Sequence, residues 1–170
     1  LLGPQIDSAP STSASALEFA ALVREAGFPE GVVNVVTGFG QDVGDRLTTH
    51  PKVAKVAFTG GETAGQKIME NAAATFKRLT LELGGKSAQI VFPDADLDAA
   101  VSGGIAGIFA ATGQTCIAGS RLLVHESIYE AYLDKFVASA KTARMGDPME
   151  MTTQVGPVTT QPQLDRIVSY

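Results

Sequence analysis

Twice in the first half of the chain a β-branched or apolar run leads into a glycine-bearing turn and then into helical spacing. A third such run ends on Gly84-Gly85. Val32–Thr37 (VVNVVT) is nearly all apolar, as expected of a strand buried on both faces. A short helix over about 40–49 follows it. Val53–Thr59 predicts a second strand, with a helix opening near Glu62, and Arg78–Leu83 predicts a third strand. Upstream, residues 16–26 (ALEFAALVREA) set Glu18 and Glu25 on one stripe, with Phe19, Leu22, Val23 and Ala26 opposite, and so predict a helix. Gly27, Pro29 and Gly31 break it. Strands alternating with helices require crossover connections, so the expected arrangement is a parallel, doubly wound α/β sheet.

A fresh unit begins after Gly84–Lys86, the expected domain boundary, giving parts 1–84 and 85–170. Ala88–Phe92 (AQIVF) predicts a strand. Asp94 or Asp96 can cap a helix that carries Leu97, Val101, Ile105 and Ile108 on one face. Leu122–Val124 predicts another strand. From Ser127 to about Arg144, Tyr129, Tyr132, Leu133, Phe136, Val137 and Ala140 recur at helical spacing, and Met145-Gly146-Asp147-Pro148 stops the helix.

Composition narrows the function classes. Apolar residues make up 45% of the chain, enough for a packed core, and charged residues only 18%, too few for a disordered chain. A net charge of −5 without a Lys/Arg cluster argues against nucleic acid as a partner. No apolar run approaches the ~20 residues that span a bilayer, and the first residues do not resemble a signal peptide. The expectation is a cytoplasmic protein. Cys116 is the only cysteine, so no disulfide can form within the chain.

Four features could carry chemistry, and each has a bland reading beside the functional one. Gly38-Phe39-Gly40-Gln41-Asp42-Val43-Gly44 leads from a strand into a helix, where backbone N–H groups can approach phosphate. Phe58-Thr59-Gly60-Gly61-Glu62 is a second loop of this kind. Both can equally be plain turns. Cys116 sits among small and polar residues in Gly113–Arg121 (GQTCIAGSR). A free cysteine is commonly a buried structural thiol, but small neighbours leave room for a substrate. Glu82 interrupts the apolar pattern Leu79-Thr80-Leu81-Glu82-Leu83 at a strand end. It either faces solvent or, if partly buried, is suited to accept a proton near neutral pH.

Taken together, Phe58–Gly65 (FTGGETAG), Leu81–Ser87 (LELGGKS), Pro93–Val101 (PDADLDAAV) and Gly113–Arg121 resemble the consecutive signatures of the aldehyde dehydrogenase superfamily. Gly27–Thr37, Gly146-Asp147-Pro148 and Gly156-Pro157 fit the same pattern. The resemblance runs from about residue 14 onward, with the glutamate and cysteine motifs 34 positions apart as in the family. It implies part of a Rossmann-like parallel sheet, followed by the start of the α/β catalytic domain. It implies Cys116 as nucleophile, its backbone N–H as an oxyanion donor, and Glu82 as the base that activates water. Gly40, Gly44, Thr59, Gly60, Gly61, Leu83 and Gly84 are the implied contacts to NAD or NADP. No metal is implied. The implied substrate is a small aldehyde, the product a carboxylic acid, and the parent enzyme a homodimer or homotetramer. The reading from another class is a truncated, non-catalytic module that binds nucleotide or pairs with another chain.

Two departures and one truncation qualify this picture. Gly61 stands where the family usually has serine, removing one hydroxyl contact to a diphosphate, worth about 0.5–1.5 kcal/mol. Asp7-Ser8-Ala9-Pro10 stands where the family has Lys-Pro-Ser-Glu, the residues that hold the adenosine ribose. Family segments expected on both sides are absent from the chain, so little or no activity is expected of it alone.

Overall fold

The computed structural model describes residues 5–170 and is a mixed α/β protein that divides into two compact units, Leu1–Leu83 and Gly84–Tyr170. In the first, β1 (Gln5–Ser8) leads to α1 (Ser13–Glu25) and β2 (Asn34–Thr37). A wide helical turn at Gly40–Gly44 enters α2 (Asp45–Thr49). Then come β3 (Lys55–Gly60), α3 (Glu62–Ala73) and β4 (Arg78–Leu83). Both strand pairings are parallel: Gln5 to Ser8 lie opposite Asn34 to Thr37, and Lys55 to Gly60 opposite Arg78 to Leu83. The parallel order read from the glycine turns is present. Among the described residues the strands hydrogen-bond in pairs, not as one continuous sheet.

That pairwise arrangement overturns one expectation. β2 begins at Asn34, not Val32, and none of its four residues is fully buried. Gly31 takes φ +78°, and the Val32 amide bonds back to the Pro29 carbonyl at 3.2 Å, so a turn occupies the first part of the apolar run. Among the described residues β2 pairs with β1 alone. α1 starts at Ser13, three residues before the expected start, because Pro10 opens a tight helical turn through Thr12 with a preset φ. Within this unit Asn71 Nδ2 ties α3 to α2, donating to Thr48 Oγ1 at 2.9 Å and to Asp45 Oδ1 at 3.1 Å.

The second unit contains β5 (Ala88–Val91), α4 (Leu97–Phe109), β6 (Arg121–Val124), α5 (Tyr129–Ala140) and α6 (Gln161–Val168). β5 and β6 pair in parallel, Ala88 opposite Arg121 through Val91 opposite Val124. Asp96, not Asp94, caps α4, its Oδ1 accepting from the Ala99 amide at 2.8 Å. The core is Val91, Val101 and Tyr132, with Leu97, Ile105, Leu122 and Phe136 against it. Tyr132 is 1% exposed, donates to the Ala100 carbonyl at 3.2 Å and stacks on Phe136 with ring centroids 5.8 Å apart. α4 and α5 approach closely at Gly104, where a Cβ would lie 2.4 Å from the Tyr132 hydroxyl.

α5 is shorter than its periodicity predicts. It ends at Ala140, and a tight turn at Glu126–Ile128 replaces its expected first turn. Beyond Lys141 the chain must extend, because Met145 pairs with Val155 in an isolated parallel bridge. The other face of the β5–β6 pair remains open, with Ile90, Phe92 and Leu123 all more than half exposed. No helix among the described residues is long and apolar enough to cross a membrane.

Candidate functional site

The site residues read from the sequence fall in both units, and each group has its own geometry. In the first unit the Gly38–Gly44 loop closes on itself: the Asp42 and Val43 amides both reach the Phe39 carbonyl at 2.9 Å. Gly40 and Gly44 line an open cleft of about 1880 Å³ with Asp7, Thr63, Ala64 and Lys67. A Cβ at Gly40 would meet nothing within 4 Å, and one at Gly44 would approach Asp7 Oδ2 at 3.6 Å. Asp7 is half-buried, its Oδ1 is shielded from solvent with no hydrogen-bond partner among the described residues, and burial pushes its carboxyl pKa up.

Thr59, Gly60 and Gly61 end β3 and open α3. The glycines differ in what they make possible. A Cβ at Gly60 would fall 2.3 Å from the Phe58 ring, so any other residue there requires that ring to shift. Gly61 faces open space and is the N-cap of α3, whose first-turn amides receive no side-chain cap. Uncapped N–H groups and the positive end of a helix dipole suit a phosphate. The donor set at Gly40 and at the start of α3 therefore fits a dinucleotide diphosphate.

Glu82 lies on β4 directly opposite Thr59, and Leu83 opposite Gly60. Leu79, Leu81 and Leu83 turn inward while Thr80 and Glu82 are exposed, so of the two readings of Glu82 the solvent-facing one holds and the partly buried one does not. Leu83 packs on α3, where a Cβ at Gly65 would lie 2.8 Å from its Cδ2. Gly84 opens the second unit, and a Cβ there would meet nothing within 4 Å.

Cys116 is exposed, on a turn closed by the Ala118 amide and the Thr115 carbonyl at 3.2 Å. The bland alternative of a buried thiol does not hold here. Ala118, 5% exposed, plugs the turn into the fold. Its far leg is clamped by Gln89, a polar residue inside apolar β5, whose Nε2 donates to the Gly119 carbonyl at 2.8 Å and the Gly104 carbonyl at 3.4 Å. A Cβ at Gly119 would lie 2.3 Å from that nitrogen, so the clamp requires glycine. The near leg is unusual: Ala111, Thr112 and Gly113 take φ of 48°, 58° and 70° in succession. For the two non-glycine residues this costs roughly 1–2 kcal/mol each.

The sequence reading missed three parts of this neighbourhood. Gln89 was legible as a polar residue within a strand, and Gln114 as a member of the cysteine motif. Helix α6 was not read at all. Its Gln163, Arg166 and Ile167 line a cavity of about 270 Å³ with Phe109, Gly113 and Thr115, on the near side of the cysteine turn. Among the described residues no cluster of three or more His, Cys, Asp or Glu is placed to hold a metal.

The chain belongs to the aldehyde dehydrogenase family, whose profile matches residues 6–170. The match thus reaches further toward the start than the motifs suggested, taking in β1. A (Z)-2-((N-methylformamido)methylene)-5-hydroxybutyrolactone dehydrogenase from Acinetobacter baylyi is 51% identical over 151 residues, covering 89% of this chain and 31% of that protein. The crystal structure of PnpE from Pseudomonas sp. WBC-3 superposes with a TM-score of 0.96 at 46% identity, covering 99% of this chain and 34% of the other. PnpE has also been crystallised with nicotinamide adenine dinucleotide. An NAD-dependent aldehyde dehydrogenase from Sinorhizobium meliloti superposes at 0.97 with 43% identity, covering 99% of this chain and 33% of the other. The chain spans about a third of the length of these relatives.

Proposed function

We propose that this chain serves the NAD- or NADP-dependent oxidation of an aldehyde to a carboxylic acid, residues 1–84 supplying a nucleotide-binding part and residues 85–170 a thiol-bearing part. The reading is carried by the family match over residues 6–170, within which the only cysteine stands exposed on a clamped turn. Cys116 Sγ adds to the aldehyde carbonyl carbon and forms a thiohemiacetal, while the Cys116 backbone N–H donates to the developing oxyanion. The nicotinamide, when bound, supplies an acceptor for the hydride whose loss leaves a thioester on Cys116. Glu82 then takes a proton from water as it adds to the thioester carbonyl, and the carboxylic acid leaves with the sulfur regenerated. The solvent-facing position of Glu82 gives it access to that water.

The open backbone at Gly40 and Gly61 and the uncapped first turn of α3 are the contacts assigned to the diphosphate. Gly44, Thr59, Leu83 and Gly84 flank them along the same loops and strand ends. The substrate is a small aldehyde and the whole enzyme a homo-oligomer. Alone, the chain is expected to lack turnover, since it spans about a third of its relatives.

The test is a chimera in which residues 6–170 replace the matching third of the Acinetobacter baylyi relative, assayed for NADH and NADPH formation with a panel of aldehydes. Cys116→Ala is expected to abolish turnover, and intact turnover would refute the nucleophile assignment. Glu82→Gln is expected to leave a single burst of NAD(P)H while steady-state turnover falls by about 10²-fold or more. An unchanged steady state would remove Glu82 from the role of base.

A further inference from the structure

We infer that Gln114 and Thr112 are positioning residues for the Cys116 turn, acting through the segment Gly156–Thr159. This rests on the reading of Cys116 as the nucleophile and adds what holds it in place.

The turn is fixed from two sides. Gln89 holds the far leg at Gly119. The near leg is the left-handed run Ala111–Gly113, which would relax into ordinary backbone if nothing restrained it. Thr112 is the least comfortable of the three, because a β-branched side chain at positive φ crowds its own backbone. Gly113 is the only residue that fits its place: a Cβ there would lie 3.0 Å from the Ile108 carbonyl.

Two hydrogen bonds, both spanning more than forty residues of sequence, restrain this leg. Thr112 Oγ1 donates to the Gly156 carbonyl at 3.3 Å, and the Thr159 amide donates to Gln114 Oε1 at 3.2 Å. The segment that receives them is itself anchored. Val155 is 9% exposed and paired with Met145. The Gln154 amide reaches the Arg144 carbonyl at 2.8 Å, and Arg144 Nε donates to the Thr152 carbonyl at 2.8 Å. Downstream, α6 begins at Gln161. Gly156–Thr159 is thus a strap running from the anchored Val155 to the start of α6, with the cysteine turn tied to it.

The purpose of such a strap follows from what the turn must do. Both the Cys116 sulfur and its amide must be held within a fraction of an ångström of the attack geometry, and a loop left free loses rate through misplacement. Strain that persists next to a reacting group is maintained by its surroundings, and the surroundings here include these two bonds.

The test uses the 170-residue chain, read by amide hydrogen exchange and by iodoacetamide alkylation of Cys116, its only thiol. Gln114→Met removes the acceptor at similar size, Gln114→Glu keeps an acceptor oxygen, and Thr112→Val removes the hydroxyl while remaining β-branched. Gln114→Met is expected to raise exchange over residues 115–119 about fivefold or more, the factor that one net hydrogen bond represents. It is also expected to change the alkylation rate by about threefold or more, with β5 and α4 exchange held within about twofold. Gln114→Glu should stay within about twofold of the parent throughout, and Thr112→Val should repeat the Gln114→Met pattern even where that variant folds poorly. The proposal is overturned if both Gln114→Met and Thr112→Val leave the turn unchanged, or if Gln114→Glu loosens it as much as Gln114→Met. Neither readout involves turnover, so a negative result here leaves the nucleophile assignment to the separate Cys116→Ala assay.

Discussion

Two neighbouring glycines on α4, Gly103 and Gly104, should respond to the same substitution in opposite directions. Replacing a helical glycine by alanine gains about 0.8–1.0 kcal/mol from backbone entropy when the new methyl meets open space. Gly103 is exposed, and a Cβ there has nothing within 4 Å, so Gly103→Ala should stabilise by about that amount. At Gly104 the methyl would lie 2.4 Å from the Tyr132 hydroxyl and 3.0 Å from Phe136 Cε2. Neither ring can swing aside cheaply: Tyr132 is 1% exposed, hydrogen-bonded to Ala100 and stacked on Phe136. Overpacking of this kind costs about 1–3 kcal/mol, which offsets or exceeds the helix gain. The two variants should therefore differ by about 1–3 kcal/mol, with Gly104→Ala the less stable. Urea unfolding followed by tyrosine emission isolates the effect, since there is no tryptophan and all three tyrosines lie in the second unit. Tyr132→Phe deletes the nearer clashing atom, so the double variant Gly104→Ala/Tyr132→Phe should be more stable than the sum of its parts by about 0.5 kcal/mol or more. If Gly104→Ala stabilised as much as Gly103→Ala, the close approach of α4 and α5 would be wrong.

Burial raises the Tyr132 pKa above its ordinary value of 10.0, so above pH 10 the unfolded chain gives up this proton before the folded one does. The unfolded state then binds fewer protons, and stability falls as pH climbs from 10 through the raised value. Urea midpoints between pH 8 and 11 should show that fall in the parent and a shallower one in Tyr132→Phe, and parallel curves would contradict it. Gly60→Ala should destabilise β3 by about 1–3 kcal/mol because its methyl meets the Phe58 ring, whereas Gly61→Ser should be neutral or stabilising by a few tenths, as serine is the better N-cap. Amide exchange across β3 and β4 reads both, and equal effects would show that the two glycines are not distinguished by packing.

How much of the fold was legible depended on whether local pattern and tertiary demand agreed. Arg78–Leu83 alternates Leu79, Leu81 and Leu83 with polar residues, and it forms the expected strand with the leucines inward. Glu62–Ala73 opens at a glycine after a strand, as read. By contrast, β1 is four residues long and carries Asp7 and Ser8, so neither periodicity nor β-propensity marks it; its pairing to β2 does. Helix α6 begins Gln161-Pro162-Gln163, which reads as a loop, although proline is at home in a first helical turn. Its apolar Leu164, Ile167 and Val168 are spaced three and four apart, a signal too brief to stand alone. Val32 and Val33 misled for the opposite reason, strong β-formers held out of the strand by the turn at Gly31.

The candidate residues stand out in the sequence, but what holds them in place does not. Residue type singles out Cys116 as the only thiol and Glu82 as a carboxylate in an apolar pattern, and the motif resemblance is what proposes roles for them. Nothing local to Gly113–Arg121 announces that Ala111 and Thr112 are left-handed, because only Gly113 among the three is a residue suited to that backbone. That conformation is imposed from over forty residues away, through Gly156 and Thr159, and no window of sequence contains both ends. The glycines make the same point from the other side. Sequence groups Gly40, Gly44, Gly60 and Gly61 as one phosphate-binding set, yet what surrounds each divides them. Gly60 is glycine for the Phe58 ring and Gly119 for the Gln89 amide, while Gly40 and Gly61 leave their backbone open to a ligand. A motif records that a side chain is missing; only the packing shows whether the space belongs to the protein or to what it binds.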